Sequence, residues 1–182
     1  MSSPAADPRA GNRPIRRVVF DEATIAERVR ALGREITQAY PEGDLLLVGL
    51  LKGSFVFLAD LARNIERPLE VDFLVASSYG SGTVSSGEVR LLYEPASRLA
   101  DRHILLVEDI IDSGRTLASL MDRLRSRGPR SLAVCALLDK RIAPPLPELR
   151  FVGFTAPPAF LVGYGLDHAE DFRHLPYIAE MG

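Results

Sequence analysis

The chain has 182 residues, of which 47% are apolar, and its formal net charge is −2 at pH 7. This length and composition predict one domain with a core of its own, and the small net charge argues against a general nucleic-acid binder. The single cysteine, Cys135, excludes an internal disulfide and is typical of a protein of the reducing cytoplasm.

Residues 1–14 are rich in Ser, Pro, Ala and Arg, and we expect them to form a disordered tail ahead of one domain over residues 15–182. The tail has no apolar core, so it does not resemble a signal peptide. The longest apolar region, residues 45–62, is interrupted by Lys52 and Asp60. We therefore predict a cytoplasmic protein with no membrane span.

A first helix is predicted to begin after Asp21, which can cap it, and to run to about Ala39. One face of this helix is apolar and consists of Ile25, Val29, Leu32 and Ile36. Pro41 and Gly43 then end the helix. We expect the helix to pack on the sheet without a chemical role.

The first buried strand is predicted over Leu45–Leu50, and a helix that Ser54 caps over Phe55–Ile65. We expect the inner face of this helix to consist of Phe55, Leu58, Ala59 and Ala62. Lys52 and Gly53 lie between strand and helix, where exposed backbone amides favour an anion pocket. The alternative, an ordinary turn with a solvated lysine, stays open on these residues alone.

A further strand is predicted over Leu69–Ser77, and strand character resumes at Val89–Leu92. Between them, Ser78–Gly87 is rich in Gly and Ser and is too long for a simple hairpin turn. Such a segment is usually a mobile loop.

The stretch Ile104–Leu117 begins as an apolar run typical of a strand buried on both faces, and it ends at the start of an amphipathic helix. The apolar face of that helix consists of Leu117, Leu120, Met121 and Leu124. A parallel strand that feeds a helix places the intervening loop at the carboxyl edge of the sheet, where open α/β folds bind ligands.

This loop combines two kinds of polar residue. Gly114 permits a tight turn, and the hydroxyls of Ser113 and Thr116, with the amides of the helix start, suit an anion. Glu108 and Asp109 precede them and can accept hydrogen bonds from sugar hydroxyls or hold a hydrated cation. Acceptors for a diol followed by a phosphate cradle indicate a ribose 5-phosphate site.

Ser131–Leu138 is predicted as another buried strand, in which Cys135 is a core residue rather than a nucleophile. Lys140 follows at the carboxyl edge of this strand, where it either contacts a ligand or is merely solvated. A short strand is predicted over Phe151–Phe154.

The loop Val107–Gly114 resembles the phosphoribosyl pyrophosphate (PRPP) loop of the type I phosphoribosyltransferases, in the variant of their hypoxanthine-guanine branch. Three further segments agree with that branch in order and spacing: Leu50–Ser54, Ser77–Gly80 and Phe160–Asp167. The resemblance extends over roughly residues 18–180.

The resemblance implies an α/β fold with a central, mostly parallel sheet flanked by helices, a small hood and a flexible β-arm loop. It implies a Mg²⁺-dependent transfer of phosphoribosyl from PRPP to hypoxanthine and guanine, which gives IMP or GMP and pyrophosphate in purine salvage. It also implies a homodimer or homotetramer without a nucleic-acid or membrane partner.

The resemblance assigns roles to individual residues. Asp112 would contact the purine N7 as general acid or base, whereas its structural alternative is to cap its own turn. The ribose phosphate would be bound by Glu108, Asp109, Ser113, Gly114, Arg115 and Thr116. The pyrophosphate would be bound by Lys52, Gly53 and Arg173, beside a cis peptide between Leu51 and Lys52. The purine would be bound by Lys140, Phe160, Leu161 and Asp167.

Mg²⁺ would be bound by Asp167, with Glu108 and Asp109 near the ribose. Ser78 and Tyr79 would belong to a loop that closes over the reaction centre. The chain departs from the family at Ala156–Ala159, where Ile-Pro-Asp and a charged residue are more usual. This departure concerns the approach to the base pocket.

Two alternatives remain at this point. One is the same fold with specificity for xanthine or a pyrimidine. The other is a PRPP-sensing regulator that binds RNA, which the acidic composition and the absence of a basic run disfavour.

Overall fold

The structure is a computed structural model that describes residues 8–11, 13–78, 89–142 and 144–182. Its central feature is a six-stranded sheet. The described elements are, in chain order, β1 (Ile15–Phe20), α1 (Glu22–Ala39), β2 (Leu45–Leu51), α2 (Phe55–Asn64), β3 (Glu70–Ser78), β4 (Val89–Tyr93), β5 (His103–Ile111), α3 (Arg115–Arg125), β6 (Ser131–Asp139), β7 (Leu149–Thr155), β8 (Leu161–Val162) and β9 (Ile178–Met181).

The strands of the large sheet lie in the order β4-β3-β2-β5-β6-β7. All neighbours are parallel except β3 and β4, which pair antiparallel at one edge. From β2 the chain adds strands towards one edge of the sheet, and from β5 it adds them towards the other edge. The carboxyl ends of β2 and β5, which are parallel neighbours, point to the same edge. This is the place where doubly wound sheets bind ligands. The sheet and its helices confirm the predicted α/β fold with a mostly parallel sheet, whereas the predicted β-arm loop lies outside the described residues from position 79 onward.

The two faces of the large sheet are covered by different helices. Alternate residues of β2 and β5, such as Leu47 and Leu105, pack with α1 and α2, whereas Leu46 and Leu106 face α3. The central strands are therefore buried on both sides, as their apolar sequences predict. Cys135 is fully buried, and burial raises the pKa of its thiol, which confirms that it is a core residue.

Helix α1 begins as predicted, since the Asp21 carboxylate accepts a hydrogen bond from the Thr24 amide at 2.8 Å. Gly33 lets α1 cross α2 closely, because a Cβ atom there would overlap the backbone carbonyl of Asn64. None of the helices in the described part of the chain is long and apolar enough to cross a membrane.

The predicted cap of α2 was wrong. Ser54 stands at the N-cap position but makes no side-chain cap, because its buried hydroxyl donates to the Leu50 carbonyl at 2.7 Å. The predicted inner face was right for the buried Leu58 and the half-buried Ala62 but wrong for Phe55 and Ala59, which are exposed, and Phe57 and Leu61 are buried instead. The orientation follows from Gly49 on β2, whose missing side chain leaves room for Leu58.

A smaller antiparallel sheet, in the order β1-β9-β8, stands beside the large one. We call this sheet and residues 163–177 the hood. The hood has its own small core of Val162, Phe172, Leu175, Tyr177 and Ala179. Glu180 on β9 forms ion pairs with Arg16 and Arg17 on the neighbouring strand β1, each at 2.8 Å.

Part of the predicted tail contacts the hood. Ala10 is buried, the Arg9 carbonyl lies 3.1 Å from His174 Nε2, and Arg13 pairs with Asp171. The prediction of a disordered tail over residues 1–14 therefore does not hold for Arg9, Ala10 and Arg13, because these residues bury surface or pair with the hood. Residues 1–7 and 12 lie outside the described part.

Candidate active site

The predicted phosphate loop lies where β5 ends and α3 begins. Gly114 has φ +69°, the left-handed conformation that a residue with a side chain adopts with strain, and it stands at the N-cap position of α3. No side chain caps this helix, so its first-turn amides are directed to the space in front of the loop. Ser113 and Thr116 line the cleft there, which suits an anion.

Glu108 and Asp109 lie side by side at the end of β5, and both residues are partly buried. Burial, followed by the neighbouring Asp109 charge, raises the pKa of Glu108 well above its ordinary value. Burial likewise raises the pKa of Asp109. Glu108 Oε2 is buried without a hydrogen-bond partner, so it is an acceptor that a sugar hydroxyl or a cation could satisfy.

Replacing Glu108 with Gln should stabilise the free protein, because a buried oxygen without a partner costs about 1–3 kcal/mol when it is neutral and more when it is charged, and Gln removes the charge. The raised pKa means that the folded state holds a proton that the unfolded chain releases above its ordinary pKa of 4.5. The stability of the parent protein should therefore fall as pH rises, and the advantage of Gln should be larger at pH 8 than at pH 5.

Urea unfolding at these two pH values measures the difference. The matched control is Glu66→Gln, which makes the same change at an exposed residue far along the chain from the loop. An advantage of Gln that does not change with pH would show that the Glu108 carboxyl is hydrated or paired in solution.

Asp112 and Lys140 come together although they are 28 positions apart. Lys140 Nζ donates to Asp112 Oδ2 at 2.9 Å, and the Lys140 amide donates to the Ile111 carbonyl at 3.1 Å. The Asp112 side chain is 56% exposed, whereas that of Lys140 is 18% exposed. In the described contacts the carboxylate therefore binds the lysine at the cleft and does not cap its own loop, which was its structural alternative.

The loop after β2 faces the same region. The peptide bond between Leu51 and Lys52 is cis, as the resemblance implied. Gly53 has no room for a side chain, because a Cβ atom there would overlap the Asp109 carboxylate. A Cβ atom at Gly165 in the hood would overlap the Gly53 carbonyl, so the hood packs directly on this loop.

The hood places Arg173 and Asp167 beside this loop. Arg173 Nη2 lies 2.9 Å from Asp167 Oδ1, and Arg173 Nη1 donates to the Gly165 carbonyl at 2.7 Å. Lys52 Nζ donates to both oxygens of Glu170 at 3.1 Å, and Arg173 Nη2 donates to Glu170 Oε2 at 3.3 Å. The hydrogen bond from Lys52, followed by that from Arg173, lowers the pKa of Glu170.

Glu170 is the site residue that the sequence did not reveal. Its only sequence signal is its position between Asp167 and Arg173, both of which had been assigned roles. The two cations predicted to bind pyrophosphate are brought together, but a carboxylate of the chain lies between them.

The predicted base-binding residues lie where the hood meets the large sheet. Phe160, just before β8, is 58% exposed, and its ring contacts His168 edge to face at 5.3 Å between centroids. Leu161 is buried in β8. An exposed aromatic face is suited to stacking on a planar base. Tyr79 and the side chains of Ser78 and Arg115 lie outside the described part of the chain.

Comparison with known proteins agrees with this arrangement. Residues 19–169 match the model of the phosphoribosyl transferase domain. The hypoxanthine phosphoribosyltransferase of Salmonella typhimurium is 47% identical over 168 residues, which are 90% of this chain and 94% of that protein. The corresponding protein of Buchnera aphidicola is 44% identical over 174 residues, which are 91% and 95% of the two chains.

Solved structures give the same result. A hypoxanthine phosphoribosyltransferase from Staphylococcus aureus superimposes with a TM-score of 0.89 at 38% identity, over 93% of this chain and 92% of that one. A hypoxanthine-guanine phosphoribosyltransferase from Bacillus anthracis gives 0.88 at 39% identity, over 92% and 99%. The chain therefore belongs to the phosphoribosyltransferase family, in the branch of the hypoxanthine phosphoribosyltransferases.

Proposed function

We propose that the protein transfers the 5-phosphoribosyl group from PRPP to hypoxanthine and guanine, which forms IMP or GMP and releases pyrophosphate in purine salvage. The observation that supports this most directly is the contact between Lys140 and Asp112 beside the uncapped start of α3. This contact places a hydrogen-bond donor for the base, Lys140, and a group that can accept its proton, Asp112, next to the helix start that binds the ribose phosphate.

The phosphate end of PRPP is fixed by the loop of β5 and α3. The first-turn amides of α3 and the hydroxyls of Ser113 and Thr116 bind the 5-phosphate, and Arg115 belongs to the same loop. Glu108 and Asp109 accept hydrogen bonds from the ribose hydroxyls. These contacts hold the ribose C1 in one orientation, which removes much of the entropic barrier to transfer.

Three changes accompany the breaking of the bond from C1 to pyrophosphate. Positive charge grows on the ribose, negative charge grows on the departing oxygen, and the purine gives up a proton. Lys52, Arg173 and the Gly53 amide stabilise the leaving group. Asp112, at the exposed end of its contact with Lys140, accepts the proton from the purine N7.

The purine lies between the hood and the carboxyl edge of the sheet. Phe160 stacks on its face, the backbone of Leu161 and the hood around Asp167 bind its edge, and Lys140 donates to the oxygen at position 6. The departure from the family at Ala156–Ala159 lies just before Phe160 and leaves this residue in place.

The donor set fits Mg²⁺. No group of three or more metal-binding side chains occurs among the described residues, but Mg²⁺ usually takes one or two carboxylates and completes its shell with water and substrate phosphates. Asp167 on the pyrophosphate side, and Glu108 and Asp109 on the ribose side, supply such carboxylates, and Glu108 Oε2 lacks a partner. The bound ion would neutralise charge on the pyrophosphate.

We also propose a cytoplasmic homodimer or homotetramer that acts without nucleic acid. A structure of Trypanosoma cruzi hypoxanthine phosphoribosyl transferase, at 35% identity and a TM-score of 0.86, addresses how the C-terminal region of that enzyme affects its oligomeric state. In this chain the C-terminal strand β9 is the central strand of the hood sheet, so it is tied to the fold.

Pyrophosphate release with PRPP, Mg²⁺ and one base at a time tests the proposal. We expect turnover with hypoxanthine and guanine, and much less with xanthine or uracil. Turnover with uracil alone would establish a pyrimidine enzyme of the same fold. No turnover with any base, together with an RNA mobility shift that PRPP alters, would establish the regulator instead.

A further inference from the structure

The pyrophosphate pocket contains a carboxylate that belongs to the chain itself. Glu170 receives hydrogen bonds from Lys52 through both of its oxygens, at 3.1 Å each, and Arg173 binds one of these oxygens at 3.3 Å. A single bidentate anion therefore bridges the two cations that the proposed function assigns to pyrophosphate.

The backbone that presents Glu170 is held in an unusual conformation. His168 and Asp171 pair as a tight antiparallel bridge, and the two residues between them, Ala169 and Glu170, have φ values of +51° and +66°. Turns of this kind normally use Gly or Asn, because a left-handed conformation strains residues with a side chain. Strain of this type persists at ligand clamps where the surrounding structure enforces it.

The surroundings enforce it here. The Glu170 amide donates to Asp167 Oδ2 at 2.9 Å, and the neighbouring Phe172 is buried in the core of the hood. The turn thus directs the negatively charged side chain of Glu170 to Lys52, and the two residues are 118 positions apart in the chain.

We infer that the Glu170 carboxylate is an internal competitor for the pyrophosphate group, which occupies Lys52 and Arg173 in the free enzyme and takes them back as pyrophosphate leaves. The inference rests on the proposed function, because it needs Lys52 and Arg173 to bind pyrophosphate. It adds that the affinity for this group is set by an exchange of one anion for another.

The members of the cluster differ in exposure and in the number of their contacts, in a way that suits an exchange. The side chain of Arg173 is 18% exposed and is anchored by Asp167 and the Gly165 carbonyl. The side chains of Lys52 and Glu170 are each 66% exposed. Arg173 can therefore stay in place while Lys52 exchanges Glu170 for a phosphate group and Glu170 turns to solvent.

The exchange has a defined consequence for catalysis. Because the contacts of pyrophosphate with Lys52 and Arg173 require the loss of their contacts with Glu170, the product is bound less tightly than it would be by the same cations without this carboxylate. Release of pyrophosphate is thereby accelerated, at the expense of some affinity for PRPP.

Replacing Glu170 with Gln tests this, because the amide keeps the size of the side chain and removes its charge. We expect Mg²⁺-pyrophosphate to bind the free protein about three- to tenfold more tightly, since contacts between exposed ions are individually weak. Calorimetric titration with pyrophosphate in the presence of Mg²⁺ measures the dissociation constant. Loss of structure would weaken binding, so a gain in affinity is not a folding artefact.

Two further variants separate the possible results. Glu66→Gln, an equal change of charge at an exposed residue outside the site, should leave the affinity unchanged. Lys52→Ala should weaken pyrophosphate binding in both the parent and the Glu170→Gln background. If Lys52→Ala weakens binding but Glu170→Gln matches the parent, the competitor is refuted and the pyrophosphate site stands. If Lys52→Ala has no effect, the pyrophosphate assignment fails, and the competitor fails with it.

Discussion

Replacing Asp112 with Asn should lower kcat by about 10²–10⁴ while PRPP still binds, because Asn keeps the shape of the side chain but cannot accept a proton. The carboxylate is exposed at the cleft and bound by Lys140 at 2.9 Å, so it is accessible to a base that enters there. Single-turnover kinetics with hypoxanthine gives the rate of the chemical step, and calorimetry gives the dissociation constant of PRPP.

The control for this variant is Asp122→Asn, the same change on the exposed surface of α3, where the carboxylate pairs with Arg125. It should leave both kcat and PRPP binding near the parent values. A near-normal kcat for Asp112→Asn would remove Asp112 from proton transfer and leave it as a partner of Lys140 alone.

The central strands could be predicted from the sequence because they are buried on both faces. The predicted strands Leu45–Leu50 and Ser131–Leu138 each end one residue short of β2 and β6. Continuous apolar runs of this length leave few alternatives. The position of the phosphate loop followed, since the chain must turn from β5 into an amphipathic helix and Gly114 allows that turn.

The hood could not be predicted in the same way. Strand β1 pairs with β9 from the other end of the chain, from Ile15 with Met181 to Phe20 with Ile178. Its sequence, Ile-Arg-Arg-Val-Val-Phe, has no clean alternation of apolar and polar residues, and partners so far apart leave no local signal. The exposed position of Phe55 was missed for a similar reason, because the rotation of α2 depends on Gly49 of another element.

The candidate site shows the same division. The loops that form the candidate site could be identified from the sequence, because each of them carries polar residues and follows a buried strand. The sequence does not indicate which side chains pair in the folded chain. The contacts of Lys140 with Asp112 and of Lys52 with Glu170 span 28 and 118 positions, and both depend on how the loops and the hood meet.

The choice of base should depend on Lys140. Hypoxanthine and guanine carry an oxygen at position 6, whereas adenine carries an amino group. Lys140 has only donors, so it can bind the oxygen and leaves the amino group without an acceptor. A site that binds a specific substrate group can reject the mismatched analogue by about 10⁴ or more. We therefore expect turnover of the 6-oxopurines and little or none of adenine.

Lys140→Ala should lower kcat/KM for hypoxanthine about 10- to 100-fold, the value of a hydrogen bond from a charged group, with little change in PRPP binding. The variant also deprives Asp112 of its partner, and the same substitution in the Asp112→Asn background separates the two effects. If Lys140 acts only through Asp112, Lys140→Ala should cause no further loss of kcat/KM in that background. If Lys140 binds the 6-oxygen, the loss should persist there. An unchanged kcat/KM for hypoxanthine would show that Lys140 is merely a solvated lysine at the end of β6.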